Sequence, residues 1–566
     1  MLHVKLSRPR LFFLIGLITL AFVLVMVRLV YLYHWRRDYY LSFLEKNRSA
    51  TQILYAQRGQ ILDTKGKVFA NNEPLYEVGI DPQMTNIKDF QKLGELAKHL
   101  HIPVGRAQAA FDQKTAGDKV LRWHKLAEDV SPENYEKIKN LHIRGVYSNP
   151  NFRRSYPCAK SAAHVLGYIN KEGTPVMGVE RALDFYLKGQ DGWREIECDG
   201  RRTELPQYRR REVAPTFGKN IVLSIDSVIQ DIVEEELNII QRDCLPQSAS
   251  IIVSEARTGF ILALANSPSF DPNTFFQTPI DSHRNRCITD VYEPASVFKI
   301  LTLSAIINEN IVPLNTVVDC SLTSVTHNGK TYSLPKDWRD LEKLTLPEVF
   351  YFSSNRGVAQ LSLFVGRDRL YRYAKAFGFG EKTGFQLDFE VEGMLPHPSK
   401  WDDLTVTRFP IGHGNAATAM QVHYAMSVLA NNGVLLYPQI VRRIENSDGA
   451  IEMSFSPREK RRAILESTAK TAASMLDRTD PNLRLEGVRV CGKTSTSQKI
   501  IDGRYSHTQH VSAFSGFFPL EDPKIVVTVV VDSPKVKGVA YGIRIAGPSF
   551  QRIGNQLTRY LKIDAK

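Results

Sequence analysis

The stretch Glu293-Pro294-Ala295-Ser296-Val297-Phe298-Lys299 decides how this chain is read. Pro294 favours the first turn of a helix, and Leu301, Leu303, Ile306 and Ile307 carry an apolar helix onward. At a spacing of three, Ser296 and Lys299 share one helical face. A serine hydroxyl is a poor nucleophile until a base takes its proton. A lysine becomes that base only when burial or a neighbouring cation lowers its pKa. The pattern is weak by itself, since Ser333/Lys336 and Ser467/Lys470 repeat it. Pro335 argues against a helix at the first of these, and the second falls on a polar stretch that reads as a solvated helix face.

Working outward, only the first match is followed by two further boxes. Ser353-Ser354-Asn355 precedes a helical stretch at 356–364. There Ser353 reads as a proton relay, and Asn355 as a group that orients a substrate amide and Lys299. The same residue types also serve as helix N-caps. Gly492-Lys493-Thr494-Ser495-Thr496-Ser497-Gln498 reads as a strand lining a cleft. Lys493 and Thr494 are expected to bind a substrate carboxylate, and Lys493 to help keep Lys299 neutral. A literal Lys382-Thr383-Gly384 follows the glycine-rich turn Phe377-Gly378-Phe379-Gly380 and is assigned to a structural loop.

The flanking chain supplies the frame. With 566 residues, two or more domains are expected. Composition is globular, at 43% hydrophobic and 23% charged, and the formal net charge is +13. That charge suits an anionic neighbour such as a membrane surface or an acidic polymer. Zinc-ligand cysteine spacing, a helix-turn-helix signal and RNA-binding aromatic motifs are all missing from the sequence, which argues against nucleic acid. Cys158, Cys198, Cys244, Cys287, Cys320 and Cys491 are too few and scattered for a disulfide scaffold, although one or two bridges stay open. Residues 11–27 are uncharged and apolar, and after Arg28 the run continues to Tyr33. That is long enough to span a bilayer, with Arg28 snorkelling and Tyr31, Tyr33 and Trp35 in an interfacial belt. Lys5, Arg8 and Arg10 precede the run, and residues 1–10 are placed inside with the bulk outside. A cleaved signal peptide is the alternative, but no small-residue cleavage site closes the run.

Further on, residues 36–48 suggest a juxtamembrane helix, and residues 58–63 and 65–67 a strand, a tight turn and a second strand. Residues 201–215, with Arg209, Arg210 and Arg211, look like a basic domain boundary. Residues 221–225 form a short strand, and Asp226 caps a helix with Ile229, Ile232, Val233, Leu237 and Ile240 on one face. Hairpins are expected at 250–265 and at 511–518 with 525–531, and a last helix carries Phe550, Ile553, Leu557 and Tyr560 on one stripe. An antiparallel sheet covered by helices follows, an α+β class.

The three boxes in this order resemble those of the penicillin-binding proteins. Arg58-Gly59-x-Ile61-x-Asp63-x-x-Gly66, Gly178-Val179-Glu180 and Leu187-x-Gly189-x-x-Gly192 are similar to the pedestal of class B members. Phe377-Gly378-x-Gly380, Glu392-Gly393-x-Leu395-Pro396, Gly412-His413-Gly414 and Asn431-Asn432-Gly433 resemble landmarks of their transpeptidase domain. The resemblance implies a cytoplasmic tail and transmembrane anchor at 1–37, a non-catalytic dimerisation-type pedestal at 38–215 and a transpeptidase domain at 216–566. It implies a monofunctional D,D-transpeptidase cross-linking peptidoglycan stem peptides at the outer face of the cytoplasmic membrane, inhibited by beta-lactams. Ser296, Lys299, Ser353, Asn355 and Lys493 would be catalytic, and Thr494, Ser495 and Thr496 would bind substrate, with no cofactor and no metal. Backbone N–H groups of Ser296 and Thr496 would form the oxyanion hole.

Chain length, Asp81-Pro82 and Trp401 before Gly412 resemble the division-type branch, which implies a membrane-embedded glycosyltransferase and division proteins as partners. Two departures stand out: Ser495 replaces the usual glycine of the third box, and Ala295 stands where glycine is common before the nucleophile. The competing expectations are a catalytically silent division scaffold, supported only by Ser495, and a beta-lactam hydrolase or sensor, for which the long pedestal has no use.

Overall fold

The computed structural model describes residues 8–116, 119–121, 123–197, 211–478, 480–481 and 483–563. Lys5, Cys198 and residues 201–210 of the basic passage, including Arg209 and Arg210, lie outside the described residues. Two compact units emerge: residues 1–57, 74–151 and 189–217 form one, and residues 58–73, 152–188 and 218–566 the other.

The first unit begins with α1, Arg8–Trp35, none of whose residues is buried. Among the described residues it is the one helix long and apolar enough to cross a membrane. The juxtamembrane helix is Arg37–Arg48. Strand Ser49–Leu54 pairs antiparallel with Gly192–Glu197, which also pairs with Glu212–Val213. Residues 76–80 pair with His124–Val130. Helices Leu93–Leu100 and Pro132–Asn140 bring Leu93, Leu96 and Ile138 onto Val78, Ile80 and Leu126 in a small mixed α/β core.

The second unit is built on a five-stranded antiparallel sheet. Its strands are β1 (Ser248–Glu255), β2 (Ile261–Ser267), β3 (Cys491–Ile501), β4 (Arg504–Phe518) and β5 (Ile525–Asp532), in the order β2-β1-β5-β4-β3. The central β5 reads IVVTVVVD, a nearly continuous β-branched run, because both of its faces are buried. One face carries α2 (Ser227–Cys244) and, at the C-terminus, α6 (Gly547–Tyr560). Asp226 Oδ1 accepts from the Val228 amide at 2.9 Å and caps α2, as the sequence suggests. The stripe Phe550, Ile553 and Leu557 is fully buried against the sheet, and truncating such a side chain to alanine costs about 2–5 kcal/mol. The opposite face carries α5 (Ala419–Ala430), in which every residue is buried. Here α3 (Lys299–Asn308) and α4 (Asn355–Val365) pack on one another and share one continuous apolar core with α5. The antiparallel sheet covered by helices is therefore as the sequence predicts.

One local expectation changes. The strand expected at 58–63 is only Ile61–Leu62, because Arg58 and Gly59 are engaged otherwise. A Cβ on Gly59 would lie 1.8 Å from the Lys219 carbonyl oxygen, so the backbones touch there. Arg58 Nε donates to Glu180 Oε2 at 2.7 Å, and Arg154 Nε to Glu180 Oε1 at 2.6 Å. Glu180 is fully buried. Its carboxylate serves two guanidinium groups and the Tyr156 hydroxyl at 3.3 Å. The five described cysteines, Cys158, Cys244, Cys287, Cys320 and Cys491, are free thiols.

Removing one member of a buried ion network leaves the other charges without compensation, at about 3–5 kcal/mol. Glu180→Gln is therefore expected to lower the stability of this unit by about that much, seen as a reduced thermal midpoint of the full chain. An unchanged midpoint would contradict this account of the network.

Candidate active site

The nucleophile box folds as a single 3₁₀ turn, Ala295–Phe298, that runs directly into α3. Ser296 is half-buried at this turn while Lys299 points into the core with no exposure. The second box lies at the start of α4. Ser354 is the N-cap, its Oγ accepting from the Gly357 amide at 2.9 Å, and this frees Ser353 and Asn355 on either side to face Lys299. The cap and the catalytic reading are thus both realised, on different residues of the same box. The third box is the edge strand β3, which presents Lys493 fully buried.

These side chains form one hydrogen-bonded chain. Lys299 Nζ donates to the Ser353 carbonyl at 2.8 Å, to Ser353 Oγ at 3.1 Å and to Asn355 Oδ1 at 2.6 Å. Lys493 Nζ donates to Ser353 Oγ at 2.7 Å. Ser353 Oγ in turn meets Ser296 Oγ at 3.2 Å. The link from Ser296 to the lysines therefore runs through Ser353. Asn355 is held by its own amide, Nδ2 donating to the Lys336 carbonyl at 2.8 Å. Burial pushes Lys299 down to about 7, with Asp337 opposing. Burial also pushes Lys493 well down, helped by the positive charges of Arg478 and Lys299. Lys299 can therefore be neutral near physiological pH, the condition a lysine base requires, and Lys493 is shifted in the same direction.

The remaining third-box residues divide by strand alternation. Ser495 lies on the buried side with Lys493, and its Oγ donates to the Pro294 carbonyl at 2.7 Å. The hydroxyl that replaces glycine thus turns into the protein and ties β3 to the loop carrying Ser296. Thr494 and Thr496 are half-buried on the other side, and Thr496 Oγ1 accepts from the Gly542 amide at 2.9 Å. The literal Lys382-Thr383-Gly384 is a loop organised by Glu390, which accepts from the Thr383 amide at 2.7 Å. Lys470 of the third Ser-x-x-Lys match is solvated and pairs with Glu466.

Three supports escaped the sequence reading. Asp337, nearly buried, accepts from Ser354 Oγ at 2.8 Å and from the Asn355 and Arg356 amides, fixing the start of α4. Glu293 accepts from the Gly414 amide at 2.8 Å and from Tyr505 Oη at 3.0 Å, and faces His413 Nδ1 at 3.1 Å. Burial opposes its charge, but these partners outweigh burial and hold it below the usual carboxylate range. Burial and Glu293 together push Tyr505 up to about 12. Arg478, outside all three boxes, donates from Nε to the Gly492 carbonyl at 2.7 Å and from Nη1 to the Tyr351 carbonyl at 3.0 Å. Asp337 and Arg478 lie in no local motif, and Glu293 opens the nucleophile stretch without any local signal of its role.

Ala295 adopts φ +42°, in the left-handed region. A Cβ on Gly412 would lie 2.3 Å from the Ala295 carbonyl oxygen, so that glycine lets the two loops meet. Left-handed backbone costs a residue with a Cβ about 1–2 kcal/mol, and glycine raises unfolded-chain freedom by about 0.5–1 kcal/mol. Ala295→Gly is therefore expected to stabilise the protein by up to about 1 kcal/mol, read as a small rise in thermal midpoint; a clear fall would refute the strain.

Comparison with known proteins agrees with this geometry. Residues 249–555 match the family model described as the penicillin binding protein transpeptidase domain, and residues 53–223 the penicillin-binding protein dimerisation domain. The chain is 30% identical over 551 residues to stage V sporulation protein D of Bacillus subtilis, covering 96% of this chain and 84% of that protein. It is 28% identical over 575 residues to peptidoglycan D,D-transpeptidase FtsI of Escherichia coli, covering 99% and 93% respectively. Among solved structures, a peptidoglycan synthetase from Bifidobacterium adolescentis aligns with a TM-score of 0.72 at 25% identity, over 92% of this chain and 98% of that one. With the transpeptidase model spanning more than half of its length and the dimerisation model preceding it, this chain belongs to the class B penicillin-binding proteins.

Proposed function

We propose that this protein is a serine D,D-transpeptidase that cross-links peptidoglycan stem peptides through an acyl-enzyme on Ser296, in the septal branch of wall synthesis. The observation that carries the reading is the unbroken contact from the half-exposed Ser296 hydroxyl, through Ser353, to two buried lysines of lowered basicity. Relatives named peptidoglycan D,D-transpeptidases, FtsI among them, support the substrate class and the division role. Residues 38–215 serve as the pedestal and 216–566 as the catalytic domain.

In this mechanism Ser296 Oγ attacks the carbonyl carbon of the penultimate D-alanine while its proton passes to Ser353 and on to the amine pair. Negative charge develops on the carbonyl oxygen, facing the backbone N–H groups of Ser296 and Thr496. One such donor contributes about 3–4 kcal/mol in the transition state. Collapse breaks the peptide bond, and the terminal D-alanine leaves with the proton that the amine pair returns. An amine from a second stem peptide then attacks the ester, gives up its proton along the same path and frees Ser296. Asn355 orients the donor amide, and Lys493 and Thr494 receive the terminal carboxylate, with Ser495 and Thr496 shaping the strand beside it. Beta-lactams enter as acylating mimics of the donor. No cofactor or metal is used.

The apolar α1 anchors the chain in the cytoplasmic membrane with residues 1–10 inside and the catalytic unit outside, beside a membrane-embedded glycosyltransferase and division proteins. Fluorescent penicillin tests the reading directly. The full chain is expected to take up label and keep it, and Ser296→Ala to take up none. Rapid loss of label would make the protein a hydrolase, and no uptake by the unmodified chain would make it a scaffold.

A further inference from the structure

The two departures from the usual box residues, Ala295 and Ser495, meet at one peptide unit. Its carbonyl belongs to Pro294 and its N–H to Ala295. The carbonyl accepts from Ser495 Oγ at 2.7 Å and from the Val297 amide at 3.3 Å. A carbonyl oxygen has two lone pairs, and both are engaged here. The Val297 bond closes the 3₁₀ turn over Ala295 and Ser296. At the other end of the unit the Ala295 amide donates to the Gly412 carbonyl at 3.2 Å. The peptide is therefore held by its own turn, by β3 and by the 412–414 loop. Ser495 is 2% exposed and Ala295 3%, so water cannot take over a bond that is lost.

Rotation about the N–Cα bond of Ala295 is measured from this unit, and its φ of +42° is the left-handed value that a Cβ disfavours. The same torsion directs the next peptide, whose carbonyl belongs to Ala295 and whose N–H belongs to Ser296. That carbonyl oxygen packs against Gly412, where a Cβ would lie 2.3 Å away. If φ relaxed, either the Pro294 carbonyl would leave Ser495 or the Ser296 N–H would turn. Ser495 also immediately precedes Thr496 on β3. Thr496 Oγ1 accepts from the Gly542 amide at 2.9 Å, and a Cβ on Gly542 would lie 2.2 Å from the Ser495 carbonyl oxygen. Residue 542 thus backs this part of the strand. The Ser495–Pro294 bond joins the two segments that carry the Ser296 and Thr496 N–H groups.

We propose that Ser495 is a positioning residue that sets the spacing and aim of the two oxyanion-hole donors, and that it compensates for alanine at position 295. The inference deepens the acyl-enzyme reading and rests on it. Glycine at 295 would take the left-handed torsion at little cost and need no further tie. Alanine at 295 is held there by a hydrogen bond that glycine at 495 could not make. The Ser495 hydroxyl keeps its own proton and takes no part in bond making. Its effect reaches the reacting carbonyl through Ala295 on one side and through β3 on the other. Donors aimed at the carbonyl oxygen act most strongly when negative charge develops there. Loss of aim therefore slows acylation more than it weakens the bound ground state.

The test is a double-mutant cycle on acylation by fluorescent penicillin, using the full chain in detergent micelles. Ser495→Ala, Ala295→Gly and the double variant are compared with the unmodified protein. Varying the penicillin concentration separates the acylation rate constant from the noncovalent dissociation constant that precedes it. Ser495→Ala is expected to lower the acylation rate constant about tenfold, with the loss falling on that step rather than on noncovalent binding. In the Ala295→Gly background the same substitution is expected to cost at most about threefold, because glycine keeps the torsion unaided. Equal losses in the two backgrounds would make the positions independent and overturn the proposal. A loss confined to noncovalent binding would make Ser495 a substrate contact, and no loss would make it a bystander; either overturns it too. Should Ser495→Ala fail to fold, as judged by its melting curve, Ser495→Gly replaces it in both backgrounds with the same expectations. Absence of acylation in the unmodified protein would instead sink the acyl-enzyme reading itself.

Discussion

One hydroxyl oxygen, Ser353 Oγ, is shared by three groups that arrive from separate parts of the chain. Lys299 reaches it from a helix, Lys493 from a sheet edge and Ser296 from a 3₁₀ turn. Desolvating two amines is costly unless their hydrogen bonds are met, and this shared oxygen is where they are met. Ser353 holds its position with φ +59°. Backbone of that kind costs about 1–3 kcal/mol and persists only where the surroundings over-determine it.

Those surroundings are identifiable. Asp337 and the Ser354 cap fix the start of α4 from one side. On the other, the Ser495 hydroxyl fastens β3 to the nucleophile loop, and Glu293 draws the 412–414 loop and Tyr505 toward it. The apolar core behind α3 and α5 supplies rigidity, so the polar groups need only small corrections to converge. Chemistry and packing are joined at Lys299, whose stem belongs to the core and whose nitrogen belongs to the cleft.

Much of this was legible in the sequence because it is locally encoded. The apolar run of α1, the Asp226 cap, the β-branched β5 and the stripe Phe550, Ile553 and Leu557 each carry their own periodicity or cap signal. The motif residues were legible by type and spacing, and even the decoys at 382–384 and 467–470 were separable from them by context. What stayed hidden depends on contacts between distant segments. Arg478 looks like any surface arginine until Gly492 and Tyr351 are brought to it. Asp337 sits in an irregular loop, and the strand expected at 58–63 shortens because Gly59 abuts Lys219. At Ala295 the sequence shows only a departure from the usual glycine, and its φ exposes that departure as strain.

The cysteines carry a different consequence. Cys287, Cys320 and Cys491 are enclosed thiols, and none of the five described cysteines is bridged. In an oxidising compartment, thiols kept neutral by burial react slowly, since the thiolate is the reactive species. Among the described residues no disulfide constrains the catalytic unit. Among those same residues its durability rests on packing and buried polar bonds, which leaves the catalytic unit indifferent to reductants that dismantle covalently stapled proteins.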